Sequence, residues 1–399
     1  MRLFNTLSRQ VEQLDFRDGI VRMYVCGITP YDTSHLGHAR VAIVYDTLRR
    51  FLEHSGLDVR YVQNVTDIDD PLFERAERDG IPWDELGNRE TERYLQELAR
   101  VNVPKPRFYV RATEMIEFMQ PIIQRLIDLG HAYMSDGAVY YSVKSFPHFG
   151  EILHADYATM LATANERGNF PDDPKKRDPL DFVLWQPSAP SEPSWPSPWG
   201  PGRPGWHIEC STIATHFLGP QIDIHGGGAD LIFPHHAAEI AQAEPASGCS
   251  PFVHCWMHVG MIYLDGEKMS KSLGNMIFVE QVLQEHTADG LRLAVLAHHY
   301  REEYEPTEAE FEDADRLAGR LREALEARSS GKGSPLDGAA ERTRFLAALD
   351  EDFNTPEAID TLAKLADGIV EAVEYGRDVR HAQATLRELG GVLGLTFKS

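Results

Sequence analysis

Between Val21 and Gln63 the chain reads as strand, glycine-containing turn, helix and strand, an order that few folds accommodate. Val21 to Cys26 is an apolar run suited to a short buried strand. From about His35 the apolar residues of Ala39-Arg40-Val41-Ala42-Ile43-Val44, with Leu48, Phe51 and Leu52, recur at helical spacing until Gly56, and Asp58 to Gln63 reads as the next strand. Two strands joined through one helix over so short a span pair in parallel with a right-handed crossover. The predicted class is therefore α/β, with a Rossmann-like parallel sheet whose ligands are expected outside the carboxyl ends of the strands.

The 399 residues suffice for two or three domains. Residues 1–275 are expected to form the Rossmann-like unit, interrupted at about 90–170 by an inserted subdomain of helices and short strands. A segment with seven prolines between 187 and 204 can be neither a helix nor a central strand. Its tryptophans, Trp195 and Trp199, with Trp206 beyond, suggest an ordered loop packed over a pocket rather than a linker. Ile222 to Ile224 followed by Gly226-Gly227-Gly228 reads as a further strand ending in a backbone-exposing turn, and a helix is predicted to begin near Pro234. Residues 276–300 read as a connecting helical segment and 301–399 as a helical bundle. In the bundle, Thr307-Glu308-Ala309-Glu310 is a capping box before an amphipathic run to Arg328. Thr355-Pro356 is an N-cap with proline at the first helical position, and Ser329 to Gly338 is a flexible connector.

The formal net charge of −23 argues against general nucleic-acid binding, which needs clustered Lys and Arg, but leaves room for a local basic groove. The first residues lack the apolar core of a signal peptide, and no stretch is apolar enough to span a membrane. A cytoplasmic location without membrane attachment is the expectation, with monomer as the default state. Four cysteines in such a length do not make a disulfide framework; in a reducing compartment they serve metals, catalysis or packing.

Four scattered residues have the chemistry of zinc ligands: Cys26, Cys210, His235 and Glu239. His235 and Glu239 stand at i and i+4 of a predicted helix, so both would project from one face, while Cys26 ends the first strand and Cys210 precedes a helical run. Two soft sulfurs favour Zn²⁺ over Mg²⁺ or Ca²⁺. His207, His225 and His236 compete for the imidazole position, and Cys249 and Cys255 are assigned to packing. Two further motifs handle anions. His35-Leu36-Gly37-His38 opens a helix whose free N–H groups attract phosphate, with Gly37 letting a flat base approach the backbone. Lys268-Met269-Ser270-Lys271-Ser272 places two ammonium groups in a glycine-flanked loop.

At these residues the chain resembles class I aminoacyl-tRNA synthetases, and specifically the cysteinyl-tRNA synthetase family. The likeness is carried by Met23-Tyr24-Val25-Cys26-Gly27, Asn64-Val65-Thr66-Asp67-Ile68-Asp69-Asp70, Gly205-Trp206-His207-Ile208-Glu209-Cys210, Asp223-Ile224-His225-Gly226-Gly227-Gly228 and Phe233-Pro234-His235-His236, and extends from Leu3 to about Leu395. It implies activation of L-cysteine by ATP with Mg²⁺ and transfer to tRNA-Cys. It further implies one zinc held by Cys26, Cys210, His235 and Glu239, an amino-acid pocket of Thr29, Thr66 and Trp206, and an adenosine contact at the Gly226 to Asp230 turn, Gly228 included. His35, His38, Lys268 and Lys271 would be the catalytic donors to the triphosphate. Two wordings, Ile28-Thr29-Pro30-Tyr31-Asp32 and Asp69-Asp70-Pro71-Leu72-Phe73-Glu74-Arg75-Ala76, resemble instead the mycothiol-pathway ligase, which joins cysteine to glucosaminyl-inositol. The chain also ends after Leu393-Gly394-Leu395, where synthetases of the family usually continue into an anticodon-binding module. Glu239 and Asp352 to Glu357 favour tRNA as acceptor, with the sugar amine as alternative. A non-catalytic paralogue that binds zinc or ATP is the reading from another class; retention of both histidines and both lysines speaks against it.

Overall fold

The computed structural model describes residues 1–31, 34–264, 266–269, 274–328, 331 and 333–398, without the side chain of Lys268. A hairpin of β1 (Arg2–Asn5) and β2 (Gln10–Gln13) precedes β3 (Ile20–Ile28), α1 (Leu36–His54) and β4 (Asp58–Val65). There follow α2 (Asp70–Asp79), α3 (Trp83–Arg100), β5 (Phe108–Arg111) and α4 (Ile116–Asp128). The next stretch holds β6 (Ala132–Ser135), β7 (Ala138–Tyr141), α5 (Tyr157–Asn165), β8 (Phe182–Gln186) and β9 (Arg203–Pro204). The chain continues through α6 (Trp206–Leu218), β10 (Ile222–Gly228), α7 (Ala237–Ser247), β11 (Val253–Val259), β12 (Tyr263–Leu264) and β13 (Glu267–Lys268). The remaining helices are α8 (Val279–Glu285), α9 (Ala288–Leu296), α10 (Glu308–Glu326), α11 (Ala339–Asp350), α12 (Thr355–Glu374) and α13 (Arg380–Val392).

The main sheet has the order β11-β10-β3-β4-β5. Its neighbours pair in parallel, and Ile20↔Asp58 through Val25↔Gln63 set the register of the strand–helix–strand unit expected from residues 21–63. Both faces are covered, as parallel sheets require. One apolar core joins β3 and α1 to α9–α13; the other packs α4, α6 and α7 beneath the opposite face. Within residues 90–170, β5 continues the main sheet beside β4, whereas β6 and β7 pair with β8 and β9 in a separate antiparallel sheet reaching Pro204. The proline-rich segment is ordered between β8 and β9 and folds back through the Trp195↔Gly202 bridge.

Local corrections have local causes. The helix expected near Pro234 starts at Ala237: Ile232–His236 form a wide π-type turn in which Phe233 has extended angles, because the proline lacks an N–H and restricts the residue before it. His235 therefore sits in that turn, not on a regular helix with Glu239. The strand ending at Ile224 in the sequence reading runs on to Gly228, since the glycine backbone keeps pairing with Met257 to Val259. In the bundle, Thr307 caps α10 with the expected box. The cap of α12, however, is Asn354, whose side chain accepts from the Glu357 amide at 3.2 Å, and Thr355 is already helical. The Thr355 hydroxyl instead donates to the Leu296 carbonyl at 2.7 Å.

Candidate active site

The parallel register brings the carboxyl ends of β3 and β10 side by side, and the site is built there. Cys26 lies near the end of β3, Cys210 on the first turns of α6, His235 in the wide turn and Glu239 at the start of α7. Their ligand atoms all lie within 4.8 Å of one another. Cys26 Sγ is 3.9 Å from Cys210 Sγ and 3.7 Å from Glu239 Oε1, and His235 Nε2 is 3.3 Å from the same oxygen. All four side chains are buried. A second group, Cys26, His225, His236 and Glu239, meets the same distance test, so two imidazoles that competed in sequence also converge here.

The two groups differ in the hydrogen bonds of their rings. His225 Nε2 lies 2.9 Å from Glu239 Oε2, and His236 bridges Cys26 Sγ at 3.3 Å to His258 Nε2 at 2.7 Å, which continues to Thr6 Oγ1 at 2.7 Å. Both His225 and His236 thus hold other donors in place. Among the described residues His235 Nε2 makes no hydrogen bond, while its Nδ1 meets His207 Nδ1 at 2.9 Å and Trp206 stacks on its ring at 4.4 Å. Burial pushes the Cys26 thiol up, with Cys210 adding to it, pushes the Glu239 carboxyl up and pushes His235 down. Such a donor set, buried together without an opposite charge, fits a divalent cation, which reverses each of these trends. Cys255 is buried against Phe4 and β1, away from the group, and Cys249 is half-buried.

Above the donors opens a cleft of about 340 Å³. Of the residues singled out in sequence, Cys26, Thr29, His35, Gly37, His38, Trp206, Gly228 and Asp230 line it. The His35 and His38 rings lie 3.8 Å apart at the opening of α1, and a Cβ on Gly37 would stand 3.0 Å from the His35 ring. Helix α1, nineteen residues long, directs its amino terminus at the cleft, which favours an anion. Two expected contacts lie elsewhere. Gly226 is inside β10, where a Cβ would strike the Met257 carbonyl and the Tyr45 hydroxyl at 1.9 Å, so packing behind the sheet explains its glycine. Thr66 is buried beneath the cleft, accepting from Asn64 Nδ2 at 3.0 Å. Lys268 ends β13, but its side chain, and all of Lys271, lie outside the described residues.

Gln63, Tyr94 and Gly260–Ile262 also line the cleft and were missed in sequence. The glycine that follows β11 was the available signal for the last of these, whereas Tyr94 sits in the amphipathic pattern of α3 and looks only like core. Arg167, from the loop after α5, donates to the carbonyls of Asp230 and Phe233 and so tethers the glycine-rich turn and the His235 turn from outside.

Residues 12–316 match the family model described as tRNA synthetases class I (C) catalytic domain, and residues 344–398 match the DALR domain. The fold is shared with methionyl-tRNA synthetase of Mycobacterium tuberculosis, solved with methionyl-adenylate, at a TM-score of 0.66 and 16% identity over 94% of this chain and 88% of that one. Sheet and helical carboxyl region are thus those of a class I tRNA synthetase. Relatives named cysteine–tRNA ligase from Laribacter hongkongensis and Chromohalobacter salexigens are 46% and 45% identical, each over 99% of this chain and 85% of their own length. One from Dehalococcoides mccartyi is 41% identical over 100% and 86%. The chain belongs to the cysteine–tRNA ligase family.

Proposed function

We propose that the protein activates L-cysteine with ATP and transfers the cysteinyl group to the 3′ end of tRNA-Cys, acting in the cytoplasm and as a monomer. The observation that carries this reading is the buried Cys26, Cys210, His235 and Glu239 cluster, whose Cys26 also lines the cleft that His35 and His38 border. Zinc is the proposed ion, from the two sulfurs and one imidazole; bound there, it would favour the ionised thiol of cysteine over the hydroxyl of serine. No described helix is long and apolar enough to cross a membrane, which suits a tRNA-charging enzyme.

The chain's own groups then have distinct tasks. Trp206, stacked on His235, and Thr29 flank the donor cluster and would enclose a small side chain. Thr66 would act from just below. In the first step the cysteine carboxylate attacks the α-phosphorus of MgATP and pyrophosphate leaves; in the second a ribose hydroxyl of tRNA attacks the carbonyl and AMP leaves. Neither step demands a strong base. What the site supplies is alignment and positive potential around a crowded phosphorus: the α1 amino terminus, His35 and His38, with Lys268 and Lys271 assigned from sequence. Gly228 and Asp230 would meet the adenosine. The test offers purified protein radiolabelled cysteine and ATP with either tRNA or glucosaminyl-inositol. Label is expected on tRNA; label on the sugar amine, or none on either, refutes the reading.

A further inference from the structure

Arg40 is a feature of the cleft's surroundings that the sequence motifs leave unexplained. It stands on α1 one turn past His35 and is 1% exposed. Among the described residues its guanidinium binds only backbone carbonyls: Gly260 at 2.8 Å and Met261 at 3.4 Å from Nη1, and Glu302 at 2.6 Å, His299 at 3.2 Å and Tyr300 at 3.5 Å from Nη2. The Tyr304 ring packs 4.6 Å from its central carbon, and Nε has no hydrogen-bond partner among the described residues. Among the described residues no carboxylate forms an ion pair with it; Glu302 and Glu303 act only at longer range.

An arginine stays charged inside a protein, and a buried charge without a counter-ion is costly even when carbonyl dipoles surround it. The other fully buried arginine, Arg292, has Asp46 at 2.9 Å. Two of the carbonyls on Arg40 belong to Gly260 and Met261, which line the cleft, as do His35 and His38 from its own helix. The junction is close-packed: a Cβ on Gly260 would fall 2.2 Å from the Glu302 carbonyl. Asp230 is the single carboxylate among the described residues lining the cleft. The guanidinium therefore lies directly behind a wall that faces the space assigned above to a polyphosphate.

Resting on that assignment, we infer that Arg40 is a positioning residue for the nucleotide: it clamps the Gly260–Met261 wall to the helix carrying His35 and His38, and its uncompensated charge is balanced by the phosphates of the bound nucleotide. Because the charge acts through the wall, its effect scales with the charge of the ligand, which a purely structural brace would not do.

The test compares Arg40→Gln, which keeps a donor and loses the charge, with Arg40→Lys, which keeps the charge and loses the planar fork. Calorimetry measures binding of a non-hydrolysable ATP analogue and, separately, of adenosine. The Gln variant is expected to bind the ATP analogue at least about tenfold more weakly and adenosine within about twofold of the unaltered protein. Its KM for cysteine in ATP–pyrophosphate exchange should stay within about twofold. The Lys variant should keep the unaltered ratio of the two affinities. Equal losses for both ligands, or none, overturn the inference. If the Gln variant does not fold, the Lys variant decides alone, and an altered ratio overturns it. Absence of cysteine-dependent exchange in the unaltered protein would refute the proposed function instead, while the binding comparison would still judge Arg40.

Discussion

At the residue scale, the four proposed donors are tied to one another because, among the described residues, no lysine or arginine pairs with them. Cys210 is buried on α6 and contributes one of two sulfurs, so Cys210→Ser leaves a weaker ligand and a hydroxyl in a dry site. We expect that variant to lose most of its bound metal on dialysis against a chelator while the unaltered protein keeps about one ion per chain, read by elemental analysis. The lysine motif makes a different prediction. An ammonium that acts on the phosphates in the transition state adds more to that state than to cysteine binding. Lys271→Ala should therefore lower the rate of ATP–pyrophosphate exchange by about a hundredfold or more, with KM for cysteine nearly unchanged. Comparable losses in both would remove Lys271 from its assigned role.

At the element scale, the contact between α9 and α10 depends on His286, which lies just before α9. Its Nδ1 is 2.8 Å from Asp315 and its Nε2 2.8 Å from Glu308, both on α10, and Asp315 also receives the Thr287 amide at 3.0 Å. Burial works against the imidazolium, but the hydrogen bonds to Asp315 and Glu308 outweigh it, and the His286 pKa is raised. A raised folded-state pKa stabilises the fold at pH values below the unfolded value of about 6.5, and the contribution disappears as pH climbs through the folded value. His286→Gln should abolish a stability decline on the order of 1 kcal/mol above about pH 6.5, the size being limited by the solvent exposure of Glu308. Urea unfolding at pH 6 and pH 8 measures it; an unchanged pH slope in the variant contradicts the assignment.

At the scale of the whole molecule, the apolar core that covers one face of the main sheet runs without interruption into the helical bundle. Arg292 of α9 fastens that junction. It donates to Asp46 on α1 at 2.9 Å, to the Val101 carbonyl after α3 at 2.9 Å and to the Leu393 carbonyl after α13 at 2.8 Å. Gly394, at φ +76°, lies so close that a Cβ there would stand 2.2 Å from the guanidinium. Removing one partner of a buried ion pair typically costs about 3–5 kcal/mol. Arg292→Met is expected to lose about 3 kcal/mol, since Asp46 keeps Arg49 and Arg50, and to lower the bundle and the sheet domain together in chemical denaturation. Loss confined to the bundle would mean that the two halves unfold separately.

Some of this was readable without coordinates. Hydrophobic periods of two and 3.6 are local properties, so the strand–helix–strand unit, the capped helix α10 and the helical carboxyl region followed from residues a few positions apart. The short runs around Cys26 and from His35 to His38 were equally legible as candidates, because the local backbone form of each follows from its own glycine and strand end or helix start, whereas Lys271 lies outside the described residues. What distinguishes His235 from His225 and His236 is which ring nitrogens other side chains occupy, a fact spread over α6, α7, β10 and β11 that no short run of sequence contains. The same holds for Gly226, kept small by a tyrosine one helix away, and for Arg40, whose carbonyl partners lie more than two hundred residues downstream. Sequence alone determined the class of chemistry and the elements that bear it; the tertiary structure decided which atom does what, because burial and partnership arise only when distant segments exclude water from one another.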